Sequence, residues 1–206
     1  MPPAAVILDL SYPLRILHLS NNHLGAAGVE ILVDSLLLNT CLTSLDLSQN
    51  QIDGIGAVHL AKLFDHNATL RSVCLSFDPI GDDGVRSLST SLCFNKAVDD
   101  LKLSAVSMEN LGLSALAQML TLNTVLTSLK IGSNNADRSI TSLESLASSL
   151  SINSTLRSLD LTTNRLGGVA LRPLLRCLQG NHSLRSISPL FSYYHHSCSV
   201  LGSCGH

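Results

Sequence analysis

The sequence predicts an α/β solenoid, with parallel strands side by side on a concave face and helices on the convex face. Three observations carry this expectation. The pattern LxxLxL, or a close variant, begins at Leu14, Leu42, Leu70, Val98, Leu126, Leu156 and Leu184, at intervals of 28, 28, 28, 28, 30 and 28 residues. An asparagine closes each unit, at Asn39, Asn67, Asn95, Asn123, Asn153 and Asn181, again with a single interval of 30. Within every unit the apolar period changes from two to about four. Markers that share one insertion define an internal repeat, and a repeat of this length implies stacked supersecondary units.

Each unit opens on a short alternating run, such as Leu42, Leu45 and Leu47, whose period suits a strand with one buried face. The second half places apolar residues seven and three positions before the closing asparagine. Leu32 and Leu36, Leu60 and Phe64, Leu88 and Leu92, Leu116 and Leu120, Leu146 and Leu150, and Leu174 and Leu178 are these pairs. A spacing of four marks one face of a helix. Glycines before the helices, among them Gly25, Gly28, Gly54, Gly56, Gly81, Gly84, Gly167 and Gly168, fit the turn from strand to helix. Strand followed by helix, repeated in one direction, gives parallel strands with helices as a second layer. Strands pack about 4.8 Å apart and helices are about 10 Å across, so the stack must curve into a horseshoe with its strands inside.

Composition narrows the function classes. The 206 residues carry a formal charge of −2, which gives no reason to expect nucleic acid as a partner. Tryptophan is absent and aromatics make up 3% of the chain, so the interior must be aliphatic. The six cysteines, Cys41, Cys74, Cys93, Cys177, Cys198 and Cys204, lack the dense paired spacing of a disulfide framework. That favours free thiols and a cytoplasmic location. The opening MPPAAVILDL does not read as a secretory leader, and no run of about 18 apolar residues predicts a membrane span. Nothing in the sequence predicts a cofactor or a metal.

An asparagine recurs three residues after the strand: Asn22, Asn50, Asn134 and Asn164, with Asp78 and Val106 at the same place in the third and fourth units. Where strands end, backbone amides and carbonyls turn inward and must be paired. A primary amide both donates and accepts, so a ladder of stacked asparagines is expected to bind the turns of its own and neighbouring units. Ionised Asp78 accepts but does not donate, and Val106 does neither, so the join between the third and fourth units is the expected weak point.

Units such as LRILHLSNNHLGAAGVEILVDSLLLNTC and LTSLDLSQNQIDGIGAVHLAKLFDHNAT resemble leucine-rich repeats of the ribonuclease-inhibitor class, as found in NOD-like receptor repeat domains. The resemblance covers residues 14 to about 190. It implies a leucine-rich-repeat solenoid and a role in binding protein, and it leaves two finer readings: a GTPase-activating protein of the Ran type, with Asn164 and Arg165 at the rim, or the sensing fragment of a NOD-like receptor. The expected organisation is an irregular or truncated N-terminal cap (1–13), a repeat domain of six full repeats and one partial (14–191), and an irregular tail (192–206).

A partner is expected on the outward strand positions and the rim. The central column reads His18, Asp46, Cys74, Lys102, Lys130, Asp160 and Ser188, and the one beside the first leucine includes Arg15, Arg71, Arg157 and Arg185. Lys102 with Lys130, and Arg157 with Arg185, form two small basic spots suited to an acidic segment. Phe77 lies just past its strand as an anchor for an interface or as packing for the turn. His18, Asp46 and Cys74 invite a catalytic reading, but equivalent positions on three strands form a line about 10 Å long. The expectation is therefore a non-catalytic scaffold without enzyme activity. The tail holds His195, His196, His206, Cys198 and Cys204, at spacings that match no standard zinc site. Asn67, Asn153 and Asn181 stand in N-x-[ST] sequons, but they are also the repeat's closing residues. Neither end has an evident polar cap, which predicts a piece of a longer protein or self-association through the ends.

Overall fold

A computed structural model describes residues 13–135, 140–164 and 171–188. Strand and helix alternate along the chain: β1 (Ile16–His18), α1 (Gly25–Leu36), β2 (Ser44–Asp46), α2 (Gly54–His66), β3 (Ser72–Cys74), α3 (Gly81–Leu92) and β4 (Asp100–Lys102). They continue as α4 (Asn110–Leu122), β5 (Ser128–Lys130), α5 (Ile140–Ile152), β6 (Ser158–Asp160), α6 (Leu171–Gly180) and β7 (Ser186–Ser188). The seven strands form one sheet in sequence order, every neighbouring pair parallel. Register follows the repeat: Leu17, Leu45, Val73, Leu101, Leu129, Leu159 and Ile187 align across the sheet. The expected α/β solenoid is the fold.

The core lies between the two layers. In the second unit Leu45 and Leu47 point inward from the strand and are fully buried, as are Val73 and Leu75 in the third. The helices meet these strand residues with the pairs spaced by four, Leu60 with Phe64 and Leu116 with Leu120 among them, all buried. Each leucine taken fully out of water contributes about 1.5–3 kcal/mol, so the apolar spine is the main stabilising element. Contacts run between successive helices and successive strands, which makes stability a sum of neighbour terms.

The glycines serve two different purposes. Gly25 and Gly81 adopt φ of +57° and +68°, where the chain swings from the turn into its helix. Gly56, Gly84 and Gly112 instead allow close packing. A Cβ on Gly84 would fall 2.5 Å from Ile80 Cγ2, 3.0 Å from the Ala57 methyl and 3.1 Å from Gly54 Cα. Gly84→Ala is therefore expected to cost about 1–3 kcal/mol in a urea titration, the usual penalty of overpacking. An unchanged midpoint would mean that α2 and α3 are free to separate.

Helix ends are tied across repeats as well as within them. Asp53 accepts from the amides of Ile55 and Gly56, both at 3.0 Å, and so caps its own helix α2. Helix α4 gets its cap from the preceding unit: Asp82 on α3 accepts from the amides of Glu109 and Gly112 at 2.7 and 2.9 Å. The expectations for residues 1–12, Arg165, Gly167, Gly168 and the histidine and cysteine tail lie outside the described residues.

Candidate functional site

Two sets of asparagines hold the turns. In the first, Asn50 is fully buried and donates through Nδ2 to the carbonyls of Leu19, Leu47 and Ser48 at 2.8, 2.8 and 3.3 Å. Its Oδ1 accepts from the amides of Asn22 and Leu24, one repeat back, at 2.9 and 3.4 Å. Asn134 repeats this: Nδ2 donates to Leu103, Ile131 and Gly132, and Oδ1 accepts from Val106 and Met108. Asn164 donates to Ile131 and Leu161 and accepts from Asn134. Residues before the ladder positions, such as Gln49, Phe77, Ala105, Ser133 and Thr163, have φ between 58° and 65° or, at Ala105, 54°. That left-handed backbone aims the amides at the ladder oxygens.

Between Asn50 and Asn134 the pattern changes. Asp78 Oδ1 accepts from the amides of Asn50 and Ile52 at 2.7 and 3.0 Å, but its buried Oδ2 has no partner. Burial pushes the carboxyl above its ordinary value, against the pull of the amides of Ile52, Asn50 and Gln51. Val106 is fully buried and offers no polar atom, and the amide of Ile80, which an asparagine there would serve, bonds to the Asp78 carbonyl instead.

On the outward face of the sheet, charges are interleaved with small hydroxyls. Ser44, Ser72, Asp100, Ser128, Ser158 and Ser186 form one row in register. Asp100 accepts from the Ser72 hydroxyl at 2.9 Å and pairs with Lys102 at 3.5 Å. Burial alone would raise its pKa, but the hydroxyls of Ser128 and Ser72 and the Lys102 ammonium outweigh it and hold the carboxyl low. Asp46 also titrates low: burial acts to raise it, and the Ser48 hydroxyl and amide, the Cys74 thiol and the His18 charge together prevail. His18 Nδ1 stands 3.7 Å from Asp46 Oδ2. Histidine and thiol thus reach the same carboxylate from different strands, and the carboxylate they share is a weak base. Arg71 pairs with Asp99 at 3.6 Å.

Four segments, residues 13–33, 38–61, 66–89 and 153–175, match the family model described as Leucine Rich repeat. The fold is a leucine-rich-repeat solenoid. Among solved structures it is similar to the actin-binding site 2 of leiomodin-1, with a TM-score of 0.58 at 18% identity over 72% of this chain and 86% of that one. It also matches the tropomodulin C-terminal domain of Caenorhabditis elegans, with a TM-score of 0.49 at 11% identity over 85% and 88% of the two chains. An internalin from Listeria monocytogenes matches with a TM-score of 0.38 at 19% identity over 79% and 57%. No curated protein matches the sequence.

The leucine-rich-repeat frame fixes where each sequence-predicted residue falls. His18, Asp46, Cys74, Lys102, Lys130 and Asp160 align across the sheet as one row. The basic spot expected from Lys102 and Lys130 is narrower than its sequence implies, because Lys102 leans on Asp100 and only Lys130 stays exposed. Arg157 and Arg185 are exposed and, among the described residues, have no ion-pair partner. Arg15 lies exposed at the N-terminal edge. Phe77 is 60% exposed at a left-handed φ of 65°, so it does not pack into its turn.

Two features went unread in the sequence. The closing asparagines form a second ladder: Asn95 donates to the Phe64 and Asn67 carbonyls at 2.7 and 3.3 Å and accepts from the amides of Ala97 and Val98. Asn67, Asn153 and Asn181 do the same, so in the folded chain each sequon's Nδ2 is committed to a carbonyl. The residue just before each closing asparagine is an outward one, and Leu38, Phe94, Leu122 and Ile152 stand 87%, 75%, 54% and 68% exposed there. Their shared place, one residue before the closing asparagine in four of the six units, is the signal the sequence carries.

Proposed function

We propose that this chain is a non-catalytic protein-interaction scaffold whose partner lies along the outward face and rim of the sheet. The observation that carries it is the face itself: β2 to β7, six of the seven parallel strands, present a continuous row of small hydroxyl and carboxylate side chains, flanked by the exposed Phe77. Small hydroxyls allow close approach of a partner's backbone, the unpaired cations give orientation, and an exposed aromatic supplies an anchor of the kind that dominates interface energetics. The 28-residue unit with a helix in every described repeat supports placement in the ribonuclease-inhibitor class, with the repeat domain spanning 14–191. Among the described residues no helix is long and apolar enough to cross a membrane, and Cys41, Cys74, Cys93 and Cys177 are free thiols, which supports a cytoplasmic setting.

The fold shared with the leiomodin-1 site makes actin the first partner to test. Co-sedimentation of the full chain with filamentous actin, and size-exclusion with monomeric actin, are expected to show binding. Phe77→Ala and Lys130→Glu should each weaken it about tenfold or more, while Ile55→Ser on the helical side should leave it intact. Equal loss in all three variants, or in none, would remove the outward face from the reading.

A further inference from the structure

We infer that a notch between the loops that close the fifth and sixth repeats is a binding site for a phosphorylated side chain of a partner protein. The inference rests on the scaffold reading for the source of the phosphate, but not for the site. The notch encloses about 370 Å³ at the edge of the outward face, with Arg157, His182, Ser151, Ser154, Ser183 and Ile152 among its lining residues. Among the described residues, no carboxylate lines it.

Its charge sets it apart from the rest of the face. Arg71 is answered by Asp99 and Lys102 by Asp100, whereas Arg157 and its neighbour Arg185 are exposed and, among the described residues, unpaired. Both arginines fall in the column that holds Arg71, on strands whose backbones are bonded through the Arg185 amide and the Arg157 carbonyl. Donors are at hand. The Ser154 hydroxyl and the backbone amides of Ser154 and His182 make no hydrogen bond within the described chain. The Ser151 and Ser183 hydroxyls already donate hydrogen bonds to the carbonyls of Ser148 and Asn153. One field opposes an anion, since α5 and α6 both end at the notch. A helix C-terminus carries roughly half a negative charge, so the two together offset about one of the two arginine charges and the site stays cationic.

The guanidinium fork matches a phosphate or a carboxylate in two-point contact. Three further observations favour the phosphomonoester. A dianion gains more than a monoanion from a second cation, Arg185, one strand away. Donors on two different loops, Ser154 and His182, suit an acceptor with oxygens in three directions. The volume falls within the range of small-ligand clefts, about 300–1,000 Å³, and the exposed Ile152 gives an apolar wall for the carbon chain that bears the phosphate.

The test uses phenyl phosphate and, separately, a short phosphoserine peptide with its unphosphorylated twin, titrated into the full chain and followed by amide NMR. Saturable shifts are expected at the amides of Ser154 and His182, with the unphosphorylated peptide silent. Arg157→Gln should weaken binding about tenfold or more, and Arg185→Gln less; both side chains are exposed, so the fold should be retained. Arg71→Gln should change nothing. Shifts reproduced by sodium chloride at equal ionic strength, acetate as effective as phenyl phosphate, or binding unchanged in Arg157→Gln would each overturn the assignment. Those outcomes would leave the scaffold reading to stand or fall on partner binding alone.

Discussion

Replacing Asp78 with asparagine is expected to stabilise the protein by about 1–3 kcal/mol at neutral pH, the usual cost of a buried polar group left unpaired. Asp78 occupies a ladder position, accepts from two amides of the preceding turn through Oδ1, and buries Oδ2 without a partner. Where an asparagine stands, Nδ2 reaches the carbonyl three residues back, as Asn50 reaches Leu47 and Asn134 reaches Ile131. At Asp78 that carbonyl belongs to Leu75, and an ionised carboxylate offers it no proton. The protonated acid does, which adds to the desolvation that raises this pKa above its ordinary value of 3.8. A raised acid binds its proton more tightly when folded than when unfolded. Its contribution is therefore fully present below the unfolded value and is lost as pH climbs through the folded one. Asp46 and Asp100 titrate the other way, with stability lost as pH falls, and are common to both proteins; only the repulsion between Asp46 and Asp78 differs, and its removal in the variant widens the gap in the same direction. The gap between Asp78→Asn and the parent should thus be small below pH 4 and widen toward pH 7. A gap that is constant over this range would show that Oδ2 is already satisfied by solvent.

The sequence and the structure agree most closely where one periodicity does all the specifying. Leucines at fixed spacing determine strand, helix and register together, because each unit has only its two neighbours to pack against. The paired apolar residues of every described helix up to α5 are buried for this reason. The outward face was less legible. Column positions could be counted from the repeat, but whether a charge is free depends on the residue beside it: nothing in the spacing of Lys102 and Lys130 announces that Asp100 takes up the first of them. The closing asparagines mark the repeat in the sequence, yet their bonds span 28 to 33 residues, and stacking of the units is what brings so distant a carbonyl within reach. Phe77 was ambiguous because a bulky side chain at left-handed φ is rare, and the sequence carries no sign of that backbone choice.

The largest destabilisation is expected from Asn134→Ala, at about 3–5 kcal/mol by chemical denaturation, the sum of several orphaned groups. Asn134 is 2% exposed and makes five hydrogen bonds, three through Nδ2 and two through Oδ1. Truncation leaves the amides of Val106 and Met108 without an acceptor and the Leu103 carbonyl without its side-chain donor; Ile131 keeps the bond from Asn164. Each orphaned group costs about 1–3 kcal/mol, and neighbouring losses do not add in full. Location makes the effect larger than at Asn22, which is exposed, bonds only the carbonyls of its own turn through its side chain, and should cost under about 1 kcal/mol when cut to alanine. Because Val106 already interrupts the ladder one repeat earlier, losing Asn134 removes the side-chain amide from two successive joins. The units on either side should then differ more in amide exchange than they do in the parent, with residues 126–188 opening before residues 42–75. Asn134→Asp isolates the donor from the acceptor. It keeps the bonds to Val106 and Met108, so its cost should be small in acid and grow toward neutral pH, reproducing in the fifth repeat the titration of Asp78 in the third. If the aspartate variant is as damaged at pH 4 as the alanine variant, the amide's donors are not what holds the turn, and the ladder must act through packing.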